Sequence, residues 1–424
     1  MIREFTNKIK LIFKDRNLSK KIFFILGALI AFRLFANIPI PGVDQSALNR
    51  FFESNQFFGL LNIFSGGGLS GLSVVMLGVG PYITASIVLQ LLTMMSEKLK
   101  ALYAEEGEAG RRRFSQYSRL LTLPIAVVQA FGFLLLLQQR GVVASLTSLQ
   151  LITNIIAISA GSVMLMWIGE LISEFGIGNG VSLIIFSGIV ARLPSGISQV
   201  LVGYDLAQIP TYIAFAVTAV VIIMGVVVIT EAERPVPVTY AKQVRGNKQY
   251  GGVSTYIPLR MNMAGVMPII FALSILLLPQ MITNLLSTIN NAVIQTIAVA
   301  INNFLSNQLF YGIVYFILVF LFTYFYTAVT FDPDSISKNL QRSGAFIPGV
   351  RPGESTSIHL GHILTRTTLF GALFLGIIAV LPIAVQSLTG ITSLTIGGTA
   401  LLIVVSVVID LIKKVDSQIS LREY

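Results

Sequence analysis

The chain has 424 residues, 54% of them hydrophobic and only 11% charged, with a formal net charge of +10 at neutral pH. A soluble protein carries roughly 25% charged residues, so this composition excludes an ordinary soluble fold. Cysteine is absent, which rules out disulfides, thiolate metal sites and thiol catalysis and fits a reducing cytosol as the place of synthesis.

Ten apolar stretches reach the roughly 20 residues that a bilayer core demands. They are about 22–41, 73–95, 117–138, 151–173, 180–200, 209–230, 262–283, 309–330, 367–388 and 393–413. Open backbone is not tolerated in lipid, so each is predicted to be a helix. The alternating pattern of a membrane barrel is missing. The first stretch is too long for a signal peptide and no small-residue cleavage site follows it, so an uncleaved N-terminus is expected. Of the 29 Lys and Arg, Arg50, Arg140 and Arg192 fall in outer loops and Arg33 lies within the first span. All the others fall in the N-terminal tail, alternate loops and the C-terminal tail, which predicts that both termini are cytoplasmic.

In chain order, residues 1–21 begin with Ile2, Phe5, Ile9 and Ile12 interleaved with Lys8, Lys10 and Lys14, the spacing of a helix lying on the inner membrane surface. A first five-helix half is predicted over 22–200. Within it, Gly59–Leu72 is too short and glycine-rich to span, and reads as a half-helix dipping in from the outer side. A second half follows over 201–413, with long basic inner loops at 231–261 and 331–366, and then a cytoplasmic tail at 414–424. The uncharged outer segment 284–308 reads as a helix or hairpin on the outer surface. Five spans per half put the halves in opposite orientations, the condition for an inverted repeat. The expected fold is therefore an all-α membrane protein of ten transmembrane helices in two inverted halves.

Ion-coupled transporters and pumps place ionisable groups in mid-membrane. Here Glu174, Arg192 and Asp410 lie near span ends; only Arg33 and Glu170 do not, and they read as a structural pair or as contacts with polar backbone. Gly66, Gly68 and Gly71 fit a dinucleotide fingerprint but lack its strand and acidic residue. His359 and His362 lack a third ligand, and Ser335 and Lys338 lack the companion motifs of a nucleophile. Asp332 and Asp334 flank Pro333 in a turn that caps the next segment. Covalent chemistry, metals and cofactors are not expected.

Four regions carry a resemblance: PYITASIVLQLL at 81–92, EEGEAGRRRFSQY at 105–117, PVTYAKQVRGNKQYGGVSTYIPLRMNMAG at 237–265, and GAFIPGVRPG at 344–353 followed by LTRTTL at 364–369. In content and order they resemble the SecY family, the channel subunits of bacterial protein export. The resemblance covers nearly the whole chain. It implies a passive polypeptide channel in the plasma membrane, with a ten-helix clamshell hinged between spans five and six. It also implies a lateral gate between spans two and three on one side and seven and eight on the other. The partners implied are SecE, SecG, the SecA motor ATPase, the ribosome and signal-sequence-bearing polypeptides. Anionic lipid is expected at the basic inner face, and DNA is not an expected partner. The alternative class is an inverted-repeat secondary transporter of small solutes.

The resemblance assigns a pore ring to Val79, Ile83, Val181, Ile185, Ile270 and Ile403. The pairs Val79/Ile83 and Val181/Ile185 are four apart, so each shares a helix face; by themselves these positions read as core or lipid-facing aliphatics. The plug maps to Asn62, Ile63, Phe64, Ser65, Gly66, Gly67 and Gly68. The lateral gate maps to Thr84, Ser86, Gln90, Gln129, Phe271 and Ser274, where small polar groups are expected to bond between helices. Docking of cytosolic partners maps first to Arg351. Lys242, Arg245 and Lys248, together with Arg111, Arg112 and Arg113, extend that surface, although positive-inside topology explains most of them equally well. Pro235, Tyr256 and Phe175 depart from the family by standing where basic or polar residues are common.

Overall fold

The computed structural model describes residues 15–41, 65, 67–69, 71–104, 107–139, 141–143, 146–191, 194, 209–241, 243–245, 248–250, 252, 254–286, 292–389 and 392–423. The helices are α1 (Arg16–Ala36), α2 (Gly80–Met95), α3 (Glu97–Ala104), α4 (Gly107–Gln139), α5 (Ser148–Phe175) and α6 (Gly180–Val190), then α7 (Ile209–Glu231), α8 (Met267–Leu286), α9 (Ala292–Ser306), α10 (Gln308–Thr330), α11 (Pro333–Arg342), α12 (Glu354–Thr389) and α13 (Thr392–Glu423). Each of the ten apolar stretches overlaps one of these helices. By length and apolarity alone, four described helical segments suffice to cross a membrane: Gly107–Gln138, Ser148–Phe175, Gln308–Arg342 and Glu354–Leu381. The uncharged segment 284–308 contains α9.

Local chemistry explains where the helices start. Asp15 caps α1 by accepting from the amide of Asn17, and Thr147 forms a capping box with Gln150 on α5. Asn179 caps α6 and Asn307 caps α10. In the FDPD turn, Asp332 accepts from the amide of Asp334 at 3.0 Å and Pro333 opens α11, as the sequence indicates.

Three expectations are corrected. The stretch 73–95 is helical only from Gly80, because Gly78 takes a left-handed backbone (φ 59°) and 73–79 folds as turns. The charged stretch 96–116, which the sequence places in an inner loop between spans, and the inner loop 331–366 are largely helical. With 33 residues, α4 is about 50 Å long at 1.5 Å per residue, well beyond a hydrocarbon core of about 30 Å. Its charged first turns therefore continue a membrane helix instead of linking two. Finally, the chain is not wholly α-helical. Strands β1 (Glu233–Tyr240), β4 (Ser254–Arg260) and β5 (Ala345–Phe346) form an antiparallel sheet in the order β4-β1-β5, while β2 (Gln243–Arg245) and β3 (Lys248–Tyr250) pair as a hairpin. The β1 prolines are tolerated because Pro235 faces Pro258 and the β5 partnership reaches only Thr239 and Tyr240. Val236, Val238 and Leu259 anchor the sheet on Ile347, Leu360 and Leu364, joining the two long basic loops into one body.

Among the described residues, helices before position 200 meet helices after it along two seams. In one, α8 packs against α2 and α4; in the other, α13 packs against α6. One large apolar cluster runs through both seams.

Candidate functional site

Five of the six predicted ring residues are buried: Val79, Ile83, Ile185, Ile270 and Ile403. They belong to a single apolar cluster, and the partly buried Val181 packs against it. They come from four separate places in the chain. Val79 is the N-cap residue of α2 and Ile83 lies in its first turn, with the Ile83 amide donating to the Val79 carbonyl at 3.1 Å. Val181 and Ile185 share one face of α6, Ile270 lies in the first turn of α8, and Ile403 lies on α13.

Backbone contacts fix the Val79 turn. The Ser162 hydroxyl of α5 donates to the Gly78 carbonyl at 2.9 Å. The Val74 amide donates to the Ile38 carbonyl at 2.9 Å, and the Ile40 amide to the Leu72 carbonyl at 2.8 Å. Gly161 of α5 meets the Val74 carbonyl so closely that a β-carbon has no room. The α5–α6 crossing relies on the same device, since Gly180 lies against the Gly169 carbonyl. Its amide donates to the Ser173 hydroxyl at 2.8 Å.

Ile83, Val181 and Ile270 also border a cavity of about 500 Å³ whose other walls are mixed, with Met267 and Phe271 beside a group of polar residues. Ser86, Gln90, Glu170, Ser173 and Asn179 contribute there. Arg119 of α4 donates from Nε to the Glu170 carboxylate of α5 at 2.8 Å. A second cavity, of about 250 Å³, shares Asn179, Ser182, Met267 and Tyr326 with the first and continues toward Asp410 and Lys413. Branched aliphatics therefore lie between the apolar cluster and a space that holds Glu170, Arg119 and other polar groups. Water and ions passing those aliphatics would gain no polar partner.

Sequence reasoning did not anticipate the Arg119–Glu170 pair, because its members are 51 residues apart. Of the two readings open for Arg33, the contact with polar backbone is the one observed. Its guanidinium donates to the Ser187 and Gly188 carbonyls at 2.7 and 3.2 Å, near the end of α6.

For the gate, α8 does lie against α2 and α4. Phe271 is buried edge-on against Phe322 and Tyr326, with ring centres 6.0 and 5.9 Å away. Ser274 and Thr84 are buried, while Ser86, Gln90 and Gln129 are partly exposed. The expected bond between helices is not the one Thr84 makes among the described residues. The Thr84 hydroxyl donates to the Gly80 carbonyl of its own helix at 3.1 Å. A threonine in apolar surroundings satisfies itself on the preceding turn. The buried Gln90 carbonyl oxygen has no hydrogen-bond partner among the described residues.

Of the predicted plug, Asn62, Ile63, Phe64 and Gly66 lie outside the described residues. Ser65, Gly67 and Gly68 are described and lie in turns; the rest of the segment read as a half-helix lies largely outside the described residues. Positive φ at Gly67 (89°) and Leu72 (38°) is incompatible with helix continuation. Ser65 is buried and caps the Leu69 amide at 3.1 Å, and Leu69 and Leu72 are buried against Leu134 and Leu137 of α4.

Arg351 is exposed on a tightly held tip. Its carbonyl accepts from the Thr356 hydroxyl at 2.9 Å, and the Gly353 carbonyl accepts from Ser337 at 2.5 Å. Left-handed backbone at Gly349 (φ 84°) and Gly353 (φ 99°) turns the chain on either side. Lys242 lies outside the described residues. Arg245 and Lys248 are register partners of the β2–β3 hairpin, and their side chains lie outside the described set. Arg111, Arg112 and Arg113 are exposed at the start of α4, where Arg112 reaches Glu108 at 3.3 Å.

A family model described as SecY matches residues 73–412. The chain is 41% identical to the protein translocase subunit SecY of Thermotoga maritima, covering 97% of this chain and 95% of that one. It is 39% identical to the Mycobacterium tuberculosis protein of the same description over 96% of both. Among solved structures, one described as a protein conducting channel superposes with a TM-score of 0.63 at 19% identity, covering 93% of this chain and 91% of that one. A second, a SecY protein whose plug domain is described as stabilising the closed channel, gives 0.64 at 20% identity with the same coverage. At these identities the structures establish a common fold.

Proposed function

The chain belongs to the SecY family, and we propose that it forms the channel through which unfolded secretory polypeptides cross the bacterial plasma membrane. Apolar segments leave that channel sideways into lipid. The protein is a multi-pass membrane protein. Ten helices span the bilayer in two inverted halves, with both termini in the cytoplasm. The relatives give no support to a transporter of small solutes.

One observation carries this reading. Six branched aliphatics, drawn from four separate places in the chain, gather in or against one apolar cluster, and three of them border a cavity that also holds Arg119, Glu170 and other polar groups. In the proposed resting channel that cavity is the cytoplasmic vestibule and the aliphatics are its seal. Such a seal excludes water because it offers no hydrogen bond. It also fits any passing side chain without holding it, as a channel for unselected sequences requires.

The segment around Ser65–Gly68 blocks the outer side at rest. The gate lies where α8 meets α2 and α4. With the Thr84 hydroxyl turned back on its own helix, packing of Phe271 against Phe322 and Tyr326 holds it shut, and an arriving apolar signal sequence replaces that packing in kind. Arg351 on its pinned tip, with the neighbouring basic residues, receives the motor ATPase or the ribosome, and SecE and SecG complete the complex in the membrane.

The test is to stall a secreted chain in reconstituted vesicles and photo-cross-link from position 270. Adducts to the stalled chain are expected. Adducts to lipid alone would remove Ile270 from the pore.

A further inference from the structure

One face of α12 carries two kinds of surface in sequence. His359, His362, Ile363, Arg366 and Phe370 recur at steps of three and four, so they lie along one stripe. Beyond Phe370 the stripe continues through Leu373 and Ile377. All three of these apolar side chains are exposed, Phe370 at 62%. The cationic part belongs to the inner loop and the apolar part to the stretch read as a membrane span. The change therefore falls where lipid headgroups meet acyl chains.

A cavity of about 660 Å³ opens at that level. The sheet closes it from the other side, with Glu233, Arg234 and Pro235 of β1 and Met261 just after β4. The single carboxylate in its lining is already engaged, since Glu233 accepts from Arg260 Nε at 3.3 Å. Arg234 and Arg366 come from different elements, are exposed, and form no ion pair among the described residues. Two imidazoles beside them add N–H donors, while Ile363 and Phe370 give the cavity an apolar floor.

The geometry points to a binding site for one anionic glycerophospholipid between β1 and α12. Arg234 and Arg366 hold its phosphate, and an acyl chain lies along Phe370, Leu373 and Ile377. Guanidinium groups suit this role because their paired N–H donors match phosphate oxygens. An acidic peptide in the aqueous phase reaches only the cationic half of the stripe. A lipid matches both halves, in the order that the bilayer imposes. The site rests on the membrane register of α12 given above. It would tie a bilayer-facing helix to the basic cytoplasmic sheet, which shares its apolar anchor with the Arg351 loop.

The test uses the full chain with its co-purifying subunits in phosphatidylcholine vesicles, with Phe370→Trp as reporter and Trp167→Phe to remove the native signal. Brominated phosphatidylglycerol is compared with brominated phosphatidylcholine at the same low mole fraction. Stronger quenching by the anionic lipid is expected. Arg234→Gln with Arg366→Gln should erase that preference, at about fivefold in relative affinity per arginine, while quenching by phosphatidylcholine persists and reports an intact fold. Equal quenching in the parent, or a preference that survives both substitutions, overturns the headgroup site alone. Absence of quenching by either lipid overturns the site, whether a polypeptide covers the stripe or α12 does not take the membrane register given above.

Discussion

Gly161→Ala should open the channel to ions, although the residue lies outside the proposed seal. The added methyl points at the Val74 carbonyl, with the Val74 carbonyl carbon at 2.8 Å and its Cγ1 at 3.0 Å. A carbon seldom approaches a carbonyl oxygen below about 3.3 Å, so α5 and the 73–79 turn must separate by about 1 Å. Backbone lies on both sides of the clash, which leaves no side chain free to swing away. The turn is also anchored at Ile38, Leu72 and Gly78. Overpacking of this kind costs about 1–3 kcal/mol. The displacement is passed to Val79, one residue beyond the Ser162–Gly78 bond. The expected result is a lower unfolding midpoint in detergent and faster ion leak from reconstituted vesicles. Ser162→Ala is the companion variant. It orphans the Gly78 carbonyl at a cost of about 1–3 kcal/mol without any collision. A Gly161→Ala protein that melts with the parent would refute the packing argument. One that melts early but keeps vesicles tight would refute the link between this turn and the seal.

Arg351→Glu should abolish motor-driven export while the chain itself still inserts into the membrane; unchanged export rates would exclude Arg351 from docking. Deletion of 62–69 should raise resting ion leak without stopping export, and tight vesicles would count against a plug in this segment. Arg33→Met should destabilise the protein by about 3 kcal/mol. It removes two charge-assisted bonds, each contributing about 1.5–3 kcal/mol, from the Ser187 and Gly188 carbonyls. A denaturation midpoint equal to the parent's would show that those carbonyls find other partners.

What the sequence made legible, and what it did not, follows from the range of the interactions concerned. Hydropathy marked every apolar helix because lipid demands a continuous run of residues. Likewise, the FDPD cap is complete within three residues, and the Asp332 bond can be read from spacing alone. Periodicity put Val79 with Ile83 and Val181 with Ile185, since four residues make one helical turn. It could not bring Ile270 and Ile403 to the same cluster; only the resemblance supplied that. Charge patterning failed where a helix outruns the membrane. In α4, Arg111 to Arg113 fall in the stretch that charge places in an inner loop, yet the backbone there is helical and continuous with the membrane helix. The gate shows the converse error. Thr84 looks like a cross-helix donor in sequence, but its hydroxyl takes the carbonyl four residues back, which its own helix always offers.

The glycines carry the least legible information and some of the most consequential. In an apolar helix, Gly161 and Gly169 read simply as small residues. Their importance comes from backbone atoms of other segments, Val74 and Gly180, which no local pattern can place. These contacts divide the labour within the channel. In the proposed channel a ring of interchangeable aliphatics excludes water by its apolarity alone, and Val or Ile should serve at any one position. Radial placement of the ring is less forgiving, because it is set by backbone-to-backbone contact at the Val74 turn and the α5–α6 crossing. Substitution within the ring should therefore change leak by degrees, whereas substitution at the glycines behind it should cause an abrupt loss of the seal.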